Sequence, residues 1–159
     1  MPMSIDITGS NHNAPETRTF DGETYTVYPM VYVPVDSDEE DASYFASRLN
    51  LNNANGRAFI AFLGFDPGEG PDGSVTVAEM RRAIMVARAT FERRVSDYTR
   101  ETAVTYGDPR VNDDGTVELR PARFIDCGID QDYLARRLEQ LATLVENLAS
   151  NGATHITWD

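Results

Sequence analysis

Three stretches of this sequence hold residue types at spacings that could do chemistry. The first, DGSVTVAEM (72–80), looks like the second half of a calcium-binding loop. An EF-hand loop needs oxygen ligands at positions 1, 3 and 5, glycine at 6 and a bidentate glutamate at 12. With Asp72 at position 5, Gly73 and Glu79 fall correctly on 6 and 12. Positions 1 and 3 then fall on Gly68 and Gly70, which have no side-chain oxygen. Thr76 and Glu79 also make the T-x-x-E pattern of a capping box, so a helix start explains the glutamate without a metal. Neither a metal site nor a cofactor is expected here.

The second stretch is FIDCGID, with the single Cys127 at the end of an apolar run and shortly before a helix. That location can lower a thiol's pKa, and His155 would be its partner for nucleophilic catalysis. A free cysteine is more ordinarily a small buried hydrophobe, and no catalytic residue is assigned. Paired carboxylates such as Asp113 and Asp114 fall in a turn, where backbone hydrogen bonding accounts for them. The sequence has no G-x-S-x-G, no H-E-x-x-H, no phosphate-binding loop and no dinucleotide fingerprint. An enzyme is the third choice.

The third stretch is the helix expected from 77 to about 98. Its basic residues Arg81, Arg82, Arg88, Arg93 and Arg94 outnumber its acidic Glu79 and Glu92. At helical spacing Arg81 and Arg88 fall together at one edge of the apolar stripe, and Arg94 lies near the other. Arg81, Arg88 and Arg94 are therefore the candidate ligand-binding residues, for a nucleotide or another anion. The competing expectation is that they pair with the protein's own acidic surface, the 36–41 segment included.

Charge narrows the choices further. The net charge is −12, and all 14 basic residues are arginine. Direct binding to nucleic-acid backbone is not expected of such a chain. Without lysine there is no phosphate-loop ammonium and no Schiff base. A GC-rich genome explains the missing lysine, and a halophilic host is the alternative. One cysteine, an amino terminus unlike a signal peptide and no long apolar run together predict a cytoplasmic protein with no membrane span.

The elements that must position these residues follow from periodicity. Residues 1–16, rich in Ser, Asn, Gly and Pro, are expected to form a flexible arm. TFDGETYTVYPMVYVPV predicts a hairpin turning at Asp21-Gly22, with a long second strand to Val35 and a bulge or edge position at Pro29 and Pro34. Ser37 and Glu40 predict a capping box that starts a helix with Tyr44, Phe45 and Leu49 on its apolar side. Asn52 or Asn53 caps a helix carrying Phe59, Ile60, Phe62 and Leu63, and Gly64 ends it. Val77, Met80, Ile84, Ala87, Phe91, Val95 and Tyr98 form one helical stripe. A second hairpin is expected around Asn112–Gly115 and a strand in ARFIDCG. Asp130 caps a helix over 131–150 with Leu134, Leu138, Leu141, Val145 and Leu148 in its seam, and THITW closes the chain as a strand.

Three segments, LNLNNANGRAFIAFLG, FIDCGIDQDYLARRLEQL and ITW, resemble small uncharacterised proteins of high-GC bacteria and their phages. The resemblance carries over no known activity; it implies an accessory or mobile-element role and marks Asn53 and Asn55 as structural polar wiring. The expected fold is a single α+β domain over 17–159, with about four helices packed on a largely antiparallel sheet. The expected function is that of a non-enzymatic acidic accessory protein. Its partner would be another protein, basic or itself nucleic-acid-binding.

Overall fold

The computed structural model describes residues 4–66, 73–98, 110–112, 114, 116–118 and 131–159. The strand β1 (Ser4–Ser10) is followed by the hairpin β2 (Glu16–Phe20) and β3 (Glu23–Val27), then by helix α1 (Ala42–Ala46) and strand β4 (Leu49–Asn52). Next come α2 (Asn53–Phe62), β5 (Gly73–Thr76), α3 (Val77–Ala89), α4 (Phe91–Tyr98) and the short pair β6 (Arg110–Val111) and β7 (Val117–Glu118). The long helix α5 (Gln131–Ser150) and the strand β8 (His155–Trp158) complete them.

Four strands make the main sheet, in the order β4-β1-β8-β5, with every neighbour antiparallel. Alternation along each strand divides it into two faces. Ile5, Ile7, Leu49, Leu51, Ile156 and Trp158 are buried on one face. Against them pack Phe59 and Phe62 of α2, Met80 and Ile84 of α3, and the seam Leu134, Leu138, Leu141, Val145 and Leu148 of α5. The match of a two-residue period to a 3.6-residue period makes this a single α+β core with its helices on one side. Five helices are described rather than about four.

The sheet overturns the expected arm. Residues 4–10 form an interior strand, bonded to β4 on one side and β8 on the other. The Ser, Asp and Thr of SIDITGS read as loop composition, yet they occupy only the alternate positions. The isoleucines between them are in the core.

Two glycines are fixed by close approach. A Cβ on Gly73 would lie 2.1 Å from Trp158 Cζ2, across the β5–β8 pair. A Cβ on Gly56 would lie 2.8 Å from Ile5 Cδ1, so α2 seats on β1 through a bare backbone. Gly73 therefore has a packing role of its own, independent of any metal loop.

Other boundaries differ for local reasons. Asp21 and Gly22 both take positive φ, 51° and 80°, giving the expected hairpin turn. The second strand ends at Val27 instead of Val35, because Pro29 cannot donate to a ladder and only an isolated bridge joins Ser10 to Met30. No capping box forms at Ser37. Its Oγ accepts from Glu39 N–H in a local turn, and α1 starts later, after Asp41. Leu49 is in β4, and Tyr44 and Phe45 are exposed rather than core-facing. Serine wiring holds α1: Ser43 Oγ donates to Val33 O at 2.6 Å, and Val33 N–H donates to Ser47 Oγ at 2.6 Å. The expected long helix is two, α3 and α4, parted at Thr90, whose Oγ1 bonds back to Val86 O.

Asn52 is the cap of α2, accepting from Asn55 N–H at 2.9 Å. Gly64 follows that helix at φ 92°, and Gly152 follows α5 at φ 96°. The strand predicted in ARFIDCG and the cap at Asp130 lie outside the described residues.

Candidate functional site

With the main helices on one side, the other face of the sheet carries the polar alternates, and residues 26–28, Met30 and Tyr44 lie alongside them. Down its middle run three cross-strand pairs of β1 with β8 and the residue after it. Asp6 and Asp159 exchange backbone hydrogen bonds of 3.0 and 3.3 Å. Thr8 pairs with Thr157, their hydroxyls 3.0 Å apart. Ser10 pairs with His155. Along about 14 Å of strand the face passes from carboxylates through hydroxyls to imidazole.

At the imidazole end, three rings stack. His12 lies between Tyr28 and His155, with ring centroids 3.8 and 3.6 Å away and interplanar angles of 20° and 13°. The backbone sets this stack. His12 N–H donates to Thr154 Oγ1 at 2.8 Å, Asn11 N–H to Pro29 O at 3.0 Å, and Val31 N–H to Gly9 O at 2.8 Å. Thr154 Oγ1 also lies 3.0 Å from His155 Nδ1. Burial under the neighbouring rings, and then the charge of His155, hold the His12 imidazole below its ordinary pKa.

At the carboxylate end, Asp6 is compensated from within. Its Oδ2 receives Arg48 at 3.1 Å, and its Oδ1 receives Asn50 at 2.5 Å. The Arg48 guanidinium also lies 4.4 Å from the Tyr44 ring centroid and 5.0 Å from that of Phe45. Between the two ends lies a groove of about 490 Å³, lined by Asp6, Thr8, Ser10, His12, Tyr28 and Asp159, with Tyr44 at its rim. Ser10 Oγ is buried there with no hydrogen-bond partner.

The predicted arginines are elsewhere, and only two of the three come together. Arg81 meets Glu146 through two hydrogen bonds of 2.8 and 2.6 Å, and Arg88 meets Glu139 through two of 2.9 and 2.6 Å. Both line one groove of about 530 Å³ between α3 and α5, with Met85 exposed in it. The partners come from α5, not from the 36–41 segment. Each arginine lowers its glutamate's pKa by hydrogen bonding and has its own raised in return. Arg94 turns away and donates to Phe62 O at 2.9 Å, serving the carbonyl end of α2.

The other candidates have structural accounts or fall outside. Glu79 Oε2 accepts from Thr76 N–H and Thr76 Oγ1, both at 2.8 Å, which completes the capping box and lowers the carboxyl pKa. Asp114 Oδ1 accepts from Thr116 N–H at 2.9 Å in its turn. Cys127, Asp113, Asp72, Gly68 and Gly70 lie outside the described residues. Among the described residues, no group of three or more His, Cys, Asp and Glu could hold a metal ion, and no helix is long and apolar enough to cross a membrane.

The open-face row is hidden in the sequence because residues 1–16 have the composition of a loose arm. The signal was present: SIDITGS and HITWD both alternate with period two, and their polar members fall on one face. Comparison with protein-family models, curated proteins and solved structures gave no match.

Proposed function

We propose that this protein is a non-enzymatic accessory module that binds another, basic protein across the open face of its sheet. The observation that carries this reading is the groove itself. It combines an exposed ring at either side, Tyr28 and Tyr44, with a polar floor containing an unpartnered buried hydroxyl. Aromatic anchors around a polar floor suit recognition of a polypeptide surface. The net charge of −12 would steer a basic partner toward such a site.

A second reading, binding of a nucleotide or other anion by the α3 arginines, has one observation in its favour: Arg81 and Arg88 share a groove. An anion there would have to displace Glu146 and Glu139 from bidentate pairs. The open face asks for no such exchange and is preferred.

Affinity capture from a lysate, with the captured proteins cross-linked and mapped, tests the choice. A partner eluted by salt, cross-linked near the groove and lost with Tyr28→Ala but kept with Met85→Ser supports the open face. Loss with Met85→Ser alone would move the interface to the helical layer. Stabilisation by nucleotides that disappears in an Arg81→Ala, Arg88→Ala double variant would favour the anion reading.

A further inference from the structure

The hairpin β2–β3 stands apart from the core. Every residue from Glu16 to Thr26 is exposed, and neither strand contributes to the hydrophobic cluster. A two-stranded ribbon with no buried face is marginal in water, and further strands are what ordinarily stabilise it. The turn fixes which backbone groups are free to accept one. Asp21 and Gly22 both have positive φ, and Phe20 pairs with Glu23 across them, so this is the two-residue turn whose closing pair exchanges hydrogen bonds. Alternation then bonds Arg18 to Tyr25 and Glu16 to Val27. It points the N–H and C=O groups of Thr17, Thr19, Thr24 and Thr26 outward. Among the described residues, no backbone hydrogen bond joins residues 16–27 to another element.

A second observation identifies the occupant. Residues 24–35 contain no charged side chain, in a chain with a net charge of −12, and they expose Tyr25, Tyr28, Tyr32 and Val35. Edge strands are ordinarily protected by charge, proline or a bulge, and residues 24–27 have none of these. That edge is also its own complement. About a two-fold axis through Tyr25, Thr24 faces Thr26 of a second copy, and their outward groups bond. Tyr25 faces its own equivalent in the non-hydrogen-bonded pair, where side chains come closest, and Glu23 faces Val27 rather than a carboxylate. The β2 edge fails the same test. An axis through Arg18 sets two guanidinium groups opposite each other, and one through Thr17 brings Pro15, which has no N–H, into the ladder.

We infer that two copies of this chain associate through their β3 strands, joining the two hairpins into one antiparallel sheet across a two-fold axis. The contact is uncharged, so it is where two acidic copies meet with least repulsion. The inference goes beyond the open-face reading and does not depend on it.

Sedimentation equilibrium over a range of protein concentrations tests it. The expected result is a monomer–dimer equilibrium that tightens as salt is raised, since the copies repel each other outside the contact. Thr26→Pro removes an outward N–H that the hairpin itself does not use, so the ribbon survives and the pairing does not. It should weaken dimerisation at least roughly tenfold, because the axis doubles each lost hydrogen bond. Thr19→Pro, the same change on the β2 edge, should leave the dimer as it is. Tyr25→Glu, which sets like charges opposite each other, should dissociate it without altering the backbone. Circular dichroism unchanged in these variants shows that the fold is intact. A chain that stays monomeric at millimolar concentration, or a dimer that survives both Thr26→Pro and Tyr25→Glu, would overturn the inference. A dimer lost with Thr19→Pro alone would place the contact on β2 and overturn it as well.

Discussion

His12 lies between two rings, and its protonation has to be accommodated without room for solvent on either flat side. Its imidazole is lowered from the ordinary value of 6.5, first by burial and then by the second imidazole 3.6 Å away. A base with a depressed folded-state pKa binds its proton more readily when unfolded. The stability it contributes is complete above pH 6.5 and declines as pH falls from there toward the folded value. Urea midpoints measured between pH 7.5 and 5 should drop across this window, and His12→Asn should flatten the decline. The lowered carboxylates Glu79, Glu139 and Glu146 act in the same direction but in a separate window, below their ordinary value of 4.5. An unaltered slope in His12→Asn would show that the stack is not the origin. The strap formed by residues 10–13 against 28–31 should loosen first, so the groove and the pH response are parts of one feature.

Helix α2 meets β1 through Gly56, and two opposing effects act on a methyl group placed there. Alanine favours a helix over glycine by about 1 kcal/mol. The same methyl would lie 2.8 Å from Ile5 Cδ1 and 2.9 Å from its Cβ, and the latter cannot swing aside. Overpacking of that kind costs about 1–3 kcal/mol, so Gly56→Ala should be net destabilising by urea denaturation. A stabilised variant would mean that α2 can lift from the strand. The elements most legible in the sequence were those whose own periodicity carries their burial. The seam of α5 and the stripe of α3 fall where the spacing places them, and Thr76, Asn52 and Gly64 punctuate as expected. A helix around Tyr44 and Phe45 was legible, but the start and hold of α1 were not, since Ser43 and Ser47 bond to Val33, ten and fourteen residues earlier in the chain. Strand β1 was obscured because a strand with one open face is half polar by necessity. The ion-pair ladder between α3 and α5 could be anticipated as arginines needing acids, but only the antiparallel helix packing names Glu139 and Glu146.

The whole molecule carries a net charge of −12 and no lysine, and the pairs Arg18–Glu16, Arg81–Glu146 and Arg88–Glu139 are exposed. Exposed pairs such as Arg88–Glu139 contribute about 0–1 kcal/mol, so overall repulsion should outweigh them. Raising salt from roughly 20 mM to 0.5 M shortens the Debye length from about 20 Å to about 4 Å and screens that repulsion. The unfolding temperature should therefore rise with salt. Capture of a basic partner should fall over the same range, because the attraction that steers it is screened as well. The two slopes have opposite signs, and this makes them informative together. A partner released at high salt cannot have been lost through unfolding if the free protein is then more stable. Were the unfolding temperature to fall instead, the Arg81–Glu146 and Arg88–Glu139 pairs would be holding the helical layer more firmly than their exposure implies. Salt elution would then report on the fold, and the groove variant Tyr28→Ala would have to carry the case for a basic partner at constant ionic strength.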